Sequence, residues 1–260
     1  MTRTKKFAYI ICCVIMGCLI SPFQVQAAYL FASSDMNIYD LQYVSGGTVQ
    51  WTTEAYGTVL AYAHDDLGSA SDYKDILSND GSIQAIAATT AVYSNAIYTV
   101  AGGFTTLNST HSDLYLNPPP PPYQADGDAQ SDYDNYFTIT GGIPGDPVDV
   151  TFIRLFSGQL TGETDCGFWS VALAGLMKLE DLSGNVLDSD LMYDIHSGTG
   201  SFHRDYAGAL VVSATLKYGD EYWIYSQADS EIYGTVPEPG TFALLFAGCG
   251  MLFWKVRQRR

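Results

Sequence analysis

The stretch LVVSATLKYGDEYWIYSQ, residues 210–227, decides the fold class of this chain. In its first half, the apolar side chains at positions 210, 212, 214 and 216 alternate with a mostly polar set. A period of two is the pattern of a β-strand that buries one face. Tyr218, Gly219 and Asp220 then lead into a second apolar and aromatic run, Tyr222 to Gln227. We therefore expect the last two strands to form an antiparallel hairpin.

Similar strand signals recur through residues 28–235. Residues 49–53 and 148–152 alternate in the same way, and residues 183–185 separate two short runs as in a second hairpin. The segment Ser82–Tyr93 fits either one face of a helix or a strand, and its β-branched and aromatic residues favour the strand. Strand signals at intervals of roughly ten residues predict an all-β fold, an antiparallel β-sandwich of jelly-roll-like shape.

Five consecutive prolines, Pro118 to Pro122, interrupt this pattern. Proline lacks an amide donor, so the run predicts an extended rod that no central strand can include. The rod either divides two domains, 28–117 and 123–236, or forms a long surface loop within one sandwich. We favour one sandwich over residues 28–235, because the first segment has few large apolar side chains for a core of its own.

The N-terminus, residues 1–27, has the pattern of a secretory signal peptide. Three basic residues precede the fourteen-residue apolar stretch Phe7–Ile20, and Ala27 supplies a small residue before the expected cleavage point at Ala28. The stretch is too short for a stable membrane span, so we expect a signal-peptide helix. A lipobox at residues 15–18, with Cys18 acylated, is the alternative, and either reading takes the chain out of the cytosol.

The last 25 residues, 236–260, combine three features in a fixed order. At about 1.5 Å per residue, the apolar run at residues 240–254 is about 22 Å long as a helix, less than the roughly 30 Å hydrocarbon layer. It predicts a short transmembrane helix whose basic end stays on the cytoplasmic side. An ordinary C-terminal membrane tail is the alternative reading. The flanking features are a turn at Pro237, Glu238 and Pro239 and a basic end at Lys255, Arg257, Arg259 and Arg260.

This ordered trio, paired with a signal peptide, resembles the PEP-CTERM sorting signal of Gram-negative bacteria that make exopolysaccharide. The resemblance implies recognition by an exosortase, a membrane-embedded cysteine transpeptidase that cuts near the Pro-Glu-Pro motif. The chain would be anchored in the inner membrane before processing and would then lie at the cell surface or outside the cell. Because the nucleophile belongs to the exosortase, no residue of this chain inherits a catalytic role.

Residues 28–236 contain 27 acidic and five basic residues, hence a net charge of −22. Such a field repels nucleic acid and anionic membrane surfaces, so no nucleic-acid partner is expected. This negative charge is compatible with solubility outside the cell, with binding of a divalent cation, or with a neutral or cationic polysaccharide partner. Cys166 is the sole cysteine of this region, which excludes an internal disulfide. Beside Phe168 and Trp169, we expect it to be a buried structural thiol rather than a nucleophile.

The sequence contains no hydrolase elbow, zinc-protease, phosphate-loop or dinucleotide-binding motif, so we expect no enzymatic activity. His196 and His203 lie near two aspartates, but without a third ligand at suitable spacing we expect surface histidines rather than a metal site.

The acidic segment at residues 126–134 is the best candidate site. Its alternating carboxylates suit Ca²⁺, although the EF-hand pattern is broken at three positions, so any calcium site is expected to be irregular. The alternative is a solvated loop without a cofactor, leading into a strand at Tyr136–Thr140. The candidate ligands are Asp126, Asp128, Asp132 and Asp134.

Tyrosine is abundant, and several tyrosines are next to a carboxylate in sequence, as in Tyr39–Asp40, Asp72–Tyr73, Tyr193–Asp194 and Asp205–Tyr206. An aromatic ring beside a hydrogen-bond acceptor is suited to contact with sugars. Tyrosine is equally a favoured strand residue, and alternation places sequence neighbours on opposite faces.

Three classes of function remain. We favour a non-enzymatic exported surface or matrix protein, associated with exopolysaccharide or a biofilm, because it accounts for both termini and the acidity. The second class is a carbohydrate-binding module with calcium support. The third is a polysaccharide hydrolase, whose two carboxyl groups need to lie about 5 to 10 Å apart in space rather than in sequence.

Overall fold

A computed structural model describes residues 29–102, 104–117 and 122–237, which form β-strands joined by short turns. In these residues no helix is long and apolar enough to cross a membrane. The helices predicted for residues 1–27 and 240–254 lie outside the described residues. The strands are β1 (Leu30–Ser45), β2 (Thr48–Trp51), β3 (Tyr56–Asp65), β4 (Gly68–Leu77), β5 (Gly81–Ala88), β6 (Val92–Ala101), β7 (Phe104–Leu116), β8 (Gln124–Thr140), β9 (Pro147–Thr164), β10 (Phe168–Asp181), β11 (Val186–Gly198), β12 (Ser201–Lys217) and β13 (Glu221–Thr235).

The strands form two sheets that pack face to face as a sandwich. The first sheet has the order β12-β9-β1-β7-β6-β5, and the second has the order β11-β10-β13-β8-β3-β4, with β2 paired to the end of β8. The neighbouring strands run antiparallel. The predicted all-β antiparallel sandwich is therefore confirmed, whereas its jelly-roll-like shape remains a prediction.

The period-two pattern identifies the buried faces correctly. Val150 and Phe152 of β9 are at most 1% exposed, and so are Leu210, Val212 and Leu216 of β12. Successive side chains of a strand point to opposite faces, so these residues meet the other sheet while their neighbours face solvent. The core of the sandwich lies between the two sheets.

The segment Ser82–Tyr93 is extended, as predicted, but it belongs to two strands. β5 ends at Ala88 and β6 begins at Val92, with a turn between them in which Thr89 N donates to Val92 O at 2.9 Å. The two strands pair antiparallel at one edge of the first sheet. Of the β-branched and aromatic residues that favoured a strand, Thr89 and Thr90 lie in this turn, and Val92 and Tyr93 begin β6.

The predicted hairpin of the last two strands is wrong. Among the described strands, β12 pairs with β9 in the first sheet, whereas β13 pairs with β10 and β8 in the second. The connection at residues 218–220 therefore crosses between the sheets, and Gly219 adopts a φ of 84° there. Apolar and polar residues alternate in the same way in a hairpin and in two strands of different sheets, since each strand buries one face in either case. The pattern therefore does not distinguish the two topologies. The second predicted hairpin is confirmed, because β10 pairs with β11 from Glu180 and Val186 onward.

Strands from both sides of the proline run contribute to each sheet. In the first sheet β1 pairs with β7 and β9, and in the second sheet β3 pairs with β8. Pro118 to Pro121 lie outside the described residues, and Pro122 is buried.

A fully buried arginine, Arg154 of β9, crosses the core. Its Nε donates to the carbonyl of Tyr39 at 2.7 Å, and its Nη2 donates to the carbonyl of Ile38 at 3.1 Å. Its Nη1 donates to Asn108 Oδ1 at 2.8 Å and to the hydroxyl of Ser226. Burial lowers the pKa of Arg154 to about 9, and these four acceptors compensate for the water that the guanidinium has lost.

A register shift in β1 explains how the backbone accommodates this arginine. Pairing with β9 is regular up to Ile38 opposite Phe156 and resumes one residue out of step at Leu41 opposite Arg154. A bulge of this kind bends the strand locally and frees backbone groups from the ladder. The two carbonyls that accept from Arg154 belong to this bulge.

Candidate functional site

The acidic segment predicted as a loop is part of the long strand β8. Asp126, Asp128, Asp132 and Asp134 alternate with Ala125, Gly127, Ala129, Ser131 and Tyr133, which are buried between the sheets. The aspartates consequently lie together on the outer face of the second sheet. The loop prediction is wrong because it weighed acidic and glycine composition above the period-two pattern.

Neighbouring strands supply partners for the aspartates at both ends of this row. His64 Nδ1 of β3 lies 3.0 Å from Asp126 Oδ1. Thr58 of β3 donates to Asp132 Oδ2 at 2.9 Å, and Tyr225 of β13 donates to Asp132 Oδ1 at 3.1 Å. Asp126 is therefore oriented by a side chain of β3, and Asp132 by side chains on both sides of β8.

The middle of the row contains a pair of carboxyl groups. Asp128 is hydrogen-bonded to Asp229 of the adjacent strand β13, and the Oδ1 atom of each is buried without another partner in the described part of the chain. Burial, followed by the negative charge of Asp128, raises the pKa of Asp229 to about 8, and burial also raises the pKa of Asp128. The pair therefore shares a proton at neutral pH, because two adjacent charges cannot both be solvated.

Burial raises the pKa of three further carboxyl groups on this outer face. The pKa of Asp134 rises to about 6, and the pKa values of Asp132 and Glu231 also rise. Negative charge on this face thus increases as the pH rises from acidic to neutral and beyond. The face binds protons in the folded state, and its charge depends on pH.

In the described residues, no group of three or more His, Cys, Asp or Glu side chains is arranged to hold a metal ion. Alternate residues of a strand are separated by about 6.6 Å, so the aspartates of β8 do not converge on one point. Calcium support for this site remains a prediction from the sequence.

Aromatic side chains extend the same outer face beyond the aspartates. The rings of Tyr136 and Trp223 stack at 6.5 Å, and the rings of Trp223 and Tyr225 lie 5.7 Å apart. Lys178 Nζ lies 5.9 Å from the centre of the Tyr225 ring. We call Tyr136, Trp223 and Tyr225 the aromatic platform. The platform lies beside two aspartates of β8. Asp134 is opposite Tyr225 in the strand register, and Asp132 accepts a hydrogen bond from the Tyr225 hydroxyl.

The aromatic platform does not follow from the tyrosines that are next to a carboxylate in the chain. Those neighbours point to opposite faces, and the contacts form across strands instead: Tyr206 donates to Asp194 at 2.7 Å rather than bonding Asp205. The signal that predicts the platform is the alternation of β13, which places Trp223 and Tyr225 on one face.

The other candidate residues do not form a common site. His196 of β11 stacks on Phe202 at 4.2 Å, whereas His203 of β12 contacts Thr161 at 3.0 Å. Cys166 is exposed, so its prediction as a buried thiol is wrong. It lies between strands β9 and β10, and partial burial and the adjacent Asp165 raise the pKa of its thiol. That shift disfavours the nucleophilic thiolate.

A histidine cluster on the outer face of the first sheet also escaped the sequence analysis. His111 Nδ1 lies 2.5 Å from Asp35 Oδ1, and its Nε2 lies 2.8 Å from Asp113 Oδ2. These two carboxylates raise the pKa of His111 to about 10, so the imidazolium is charged at neutral pH. The protonated imidazole thus forms ion pairs with Asp35 of β1 and with Asp113 of its own strand.

The last strand carries the C-terminal motif directly at its end. Val236 is 2% exposed, and its amide donates to the carbonyl of Tyr123 at 2.8 Å. Pro237 is the last described residue. The other residues of the predicted sorting and cleavage sites lie outside the described residues: Ala27, Ala28, Glu238, Pro239, Lys255, Arg257, Arg259 and Arg260.

Residues 235–260 match the family model of the PEP-CTERM protein-sorting motif. The chain carries a PEP-CTERM motif. This match confirms the resemblance drawn from the sequence, and it makes the chain an exported protein targeted to an exosortase. The PEP-CTERM motif begins at the final residue of β13, so no linker separates it from the sandwich.

No curated protein matches the chain. Among solved structures, vicilin from Corylus avellana (hazelnut) is 5% identical, with a TM-score of 0.12, and covers 79% of this chain and 74% of its own. Vicilin from Capsicum annuum is 10% identical, with a TM-score of 0.11, and the match covers 81% of this chain and 74% of the vicilin chain. The structure of infectious bursal disease virus Gx strain is 8% identical, with a TM-score of 0.12, and the match covers 84% of this chain and 64% of the viral chain. Likenesses this weak carry no argument about fold or function.

Proposed function

We propose that this chain is a non-enzymatic, exported cell-surface or extracellular-matrix protein associated with exopolysaccharide or a biofilm. Its tail anchors it in the inner membrane until an exosortase cuts near Pro237, Glu238 and Pro239. The observation that carries the proposal is the PEP-CTERM match at residues 235–260, immediately after the last strand. The acidity of residues 28–236 supports a role outside the cell, where a high net charge keeps an aromatic-rich surface soluble.

The position of the motif supports processing of a folded substrate. Val236 is fixed by its bond to Tyr123, and three residues, 237–239, separate it from the apolar run at 240–254. Three extended residues span at most about 11 Å. The tail therefore holds the end of the sandwich close to the bilayer, where a membrane-embedded enzyme acts.

Cell fractionation tests the export and anchoring steps. We expect the full chain to remain with the inner membrane in a host strain that lacks the exosortase and to reach the surface or medium in the parent strain. A variant truncated after Pro237 is the control, because it should leave the inner membrane in both strains. Equal distribution of the full chain in the two strains would contradict the proposal.

A second candidate function is carbohydrate binding at the aromatic platform. Three adjacent rings with carboxylates beside them on a flat outer face provide apolar stacking surfaces and hydrogen-bond acceptors together, which suits a sugar chain. The closeness of Asp128 and Asp229 argues against the alternative of a hydrolase acting through this pair, since glycosidase carboxyl groups lie about 5 to 10 Å apart.

Retention on the host exopolysaccharide tests this candidate. Trp223→Ala should weaken retention about tenfold, because loss of a central aromatic contact typically costs more than 1 kcal/mol. Phe168→Ala is the matched control, since Phe168 is 40% exposed at another part of the surface. The candidate is excluded if both variants bind like the parent, and binding that calcium strengthens would support the predicted cation.

A further inference from the structure

The open edges of the two sheets differ in how they are protected. An edge strand presents unpaired backbone N–H and C=O groups that can pair with another chain, and proteins usually block such edges with charged side chains. In the first sheet, the β5 edge is covered by Asp72 of β4, which accepts from the amide of Ile86 at 3.1 Å. Lys74 of β4 donates to the carbonyl of Gln84 on the same edge.

The β12 edge is covered in the same way from the second sheet. Asp190 of β11 accepts from the amide of Val211 at 2.8 Å, and Asp188 accepts from the amide of Ser213 at 2.7 Å. These aspartates point toward the first sheet, so they protect β12 and leave the free edge of their own strand uncovered.

Strand β11 itself has no such protection. Its thirteen residues, VLDSDLMYDIHSG, contain no Lys, Arg or Pro, and in the described part of the chain its ladder partner is β10 alone. At about 3.3 Å per residue the strand is about 43 Å long. Alternate residues of β11 therefore direct N–H and C=O groups away from the sheet along its whole length. The remaining edge strand, β4, directs Asp72 and Lys74 to β5 but carries a charge on its outward face at Asp75.

The outward face of β11 is apolar and uncharged. Leu187, Leu191, Tyr193 and Ile195 are 39%, 62%, 56% and 50% exposed, and Ser189 and Ser197 are the other residues on that face. We call these four residues the β11 stripe. Apolar side chains continue onto β10, where Leu176 pairs with Leu191 and Ala174 pairs with Tyr193. A contiguous uncharged surface is unusual in a region with a net charge of −22, and exposed apolar patches mark interaction sites.

We propose that β11 pairs antiparallel with β11 of a second copy of this chain and joins two sandwiches through one continuous sheet. Antiparallel pairing of a strand with itself has twofold symmetry, so both copies use the same surface and the assembly closes as a dimer. Main-chain hydrogen bonds supply the edge pairing, and the two β11 stripes lie side by side and in contact on one face of the joined sheet. Two copies that met at the outer face of β8 would instead bring its aspartates together.

Charge complementarity selects the register. With the twofold axis at Tyr193, Leu191 lies opposite Ile195 of the second copy, and Asp190 lies opposite His196. With the axis at Leu191, Asp188 would instead lie opposite Asp194, and like charges directly opposite each other destabilise a sheet. We therefore place the twofold axis at Tyr193.

The mass of the full chain in detergent, measured by sedimentation and corrected for bound detergent, tests the dimer. We expect a dimer for the parent and a monomer for Ile195→Lys, because a lysine in the β11 stripe places two ammonium groups near the twofold axis. Val211→Lys is the matched control, since Val211 is an exposed apolar residue on the protected edge strand β12. It should remain dimeric, and any association through the C-terminal tail is the same in all three proteins.

Disulfide cross-linking tests the register and keeps the proposal testable if Ile195→Lys folds poorly. In a background in which Cys12, Cys13, Cys18, Cys166 and Cys249 are all replaced by serine, Tyr193→Cys should give a cross-link of twice the chain mass under mild oxidation, because directly opposite Cβ atoms lie about 4.5 to 5.5 Å apart. Val211→Cys should not. A monomeric parent, a dimer that survives Ile195→Lys, or an adduct with a different protein would overturn the proposal, and a dimer without the Tyr193→Cys cross-link would overturn the register.

Discussion

Replacement of Asp229 by asparagine should stabilise the protein at alkaline pH. The Asp229 carboxyl is hydrogen-bonded to Asp128, and burial and that neighbouring charge raise its pKa to about 8. An unfolded aspartate has a pKa of 3.8. The folded state therefore holds an extra proton between about pH 4 and pH 8, so the free energy of unfolding falls as the pH rises through this interval.

The size of this effect follows from the interval. Each pH unit contributes at most about 1.4 kcal/mol, so between pH 5 and pH 8 the upper limit is about 4 kcal/mol. Partial exposure of the pair to water reduces the electrostatic part, and we expect about 2 kcal/mol. Asparagine is neutral at every pH and can still donate to Asp128. The gain of Asp229→Asn over the parent in free energy of unfolding should therefore be about 2 kcal/mol larger at pH 8 than at pH 5.

Urea unfolding of residues 28–237, followed by tryptophan fluorescence at pH 5 and pH 8, measures this difference. Asp75→Asn is the control, because Asp75 is an exposed carboxylate on the edge strand β4 of the same sheet. It should change stability by less than about 0.5 kcal/mol at either pH, as surface substitutions usually do. A loss of stability in Asp229→Asn at pH 8, or a gain of equal size at both pH values, would refute the idea of a shared proton.

Two further predictions concern the core and can be measured by the same titration. Arg154→Met should lower the free energy of unfolding by about 3 to 5 kcal/mol, because four buried acceptors lose their donor, and a loss below 1 kcal/mol would contradict the role given to this arginine. Tyr98→Phe should leave stability unchanged or raise it by about 1 kcal/mol, because the Tyr98 hydroxyl is buried without a partner among the described residues. A loss above 1 kcal/mol in Tyr98→Phe would show that the hydroxyl is hydrogen-bonded.

The sequence predicts the strands of this fold better than their partners. Alternation at residues 148–152 and 210–217 identifies buried faces, because a strand in a sandwich buries every second residue whatever its neighbours are. The same pattern is compatible with a hairpin and with a crossing between sheets. The turn after Lys217 was therefore recognised, but its topology was not.

The candidate site was predicted only in part for a related reason. The aspartates of β8 were identified, but their partners Thr58, Tyr225 and Asp229 come from strands that are distant in sequence. Pairing between such strands is not encoded in local composition. The raised pKa values arise from burial on the sheet surface, and the loop expected from the sequence would have left the carboxylates in water.

The intact mass of the protein from its natural host tests the central claim of export and C-terminal processing most directly. Mass spectrometry should show a chain that begins near Ala28 and lacks the basic end when the exosortase is present, and a chain that keeps Arg260 when the exosortase gene is deleted. A protein from the parent strain that retains all residues to Arg260 would contradict the account, as would loss of the tail in the deletion strain.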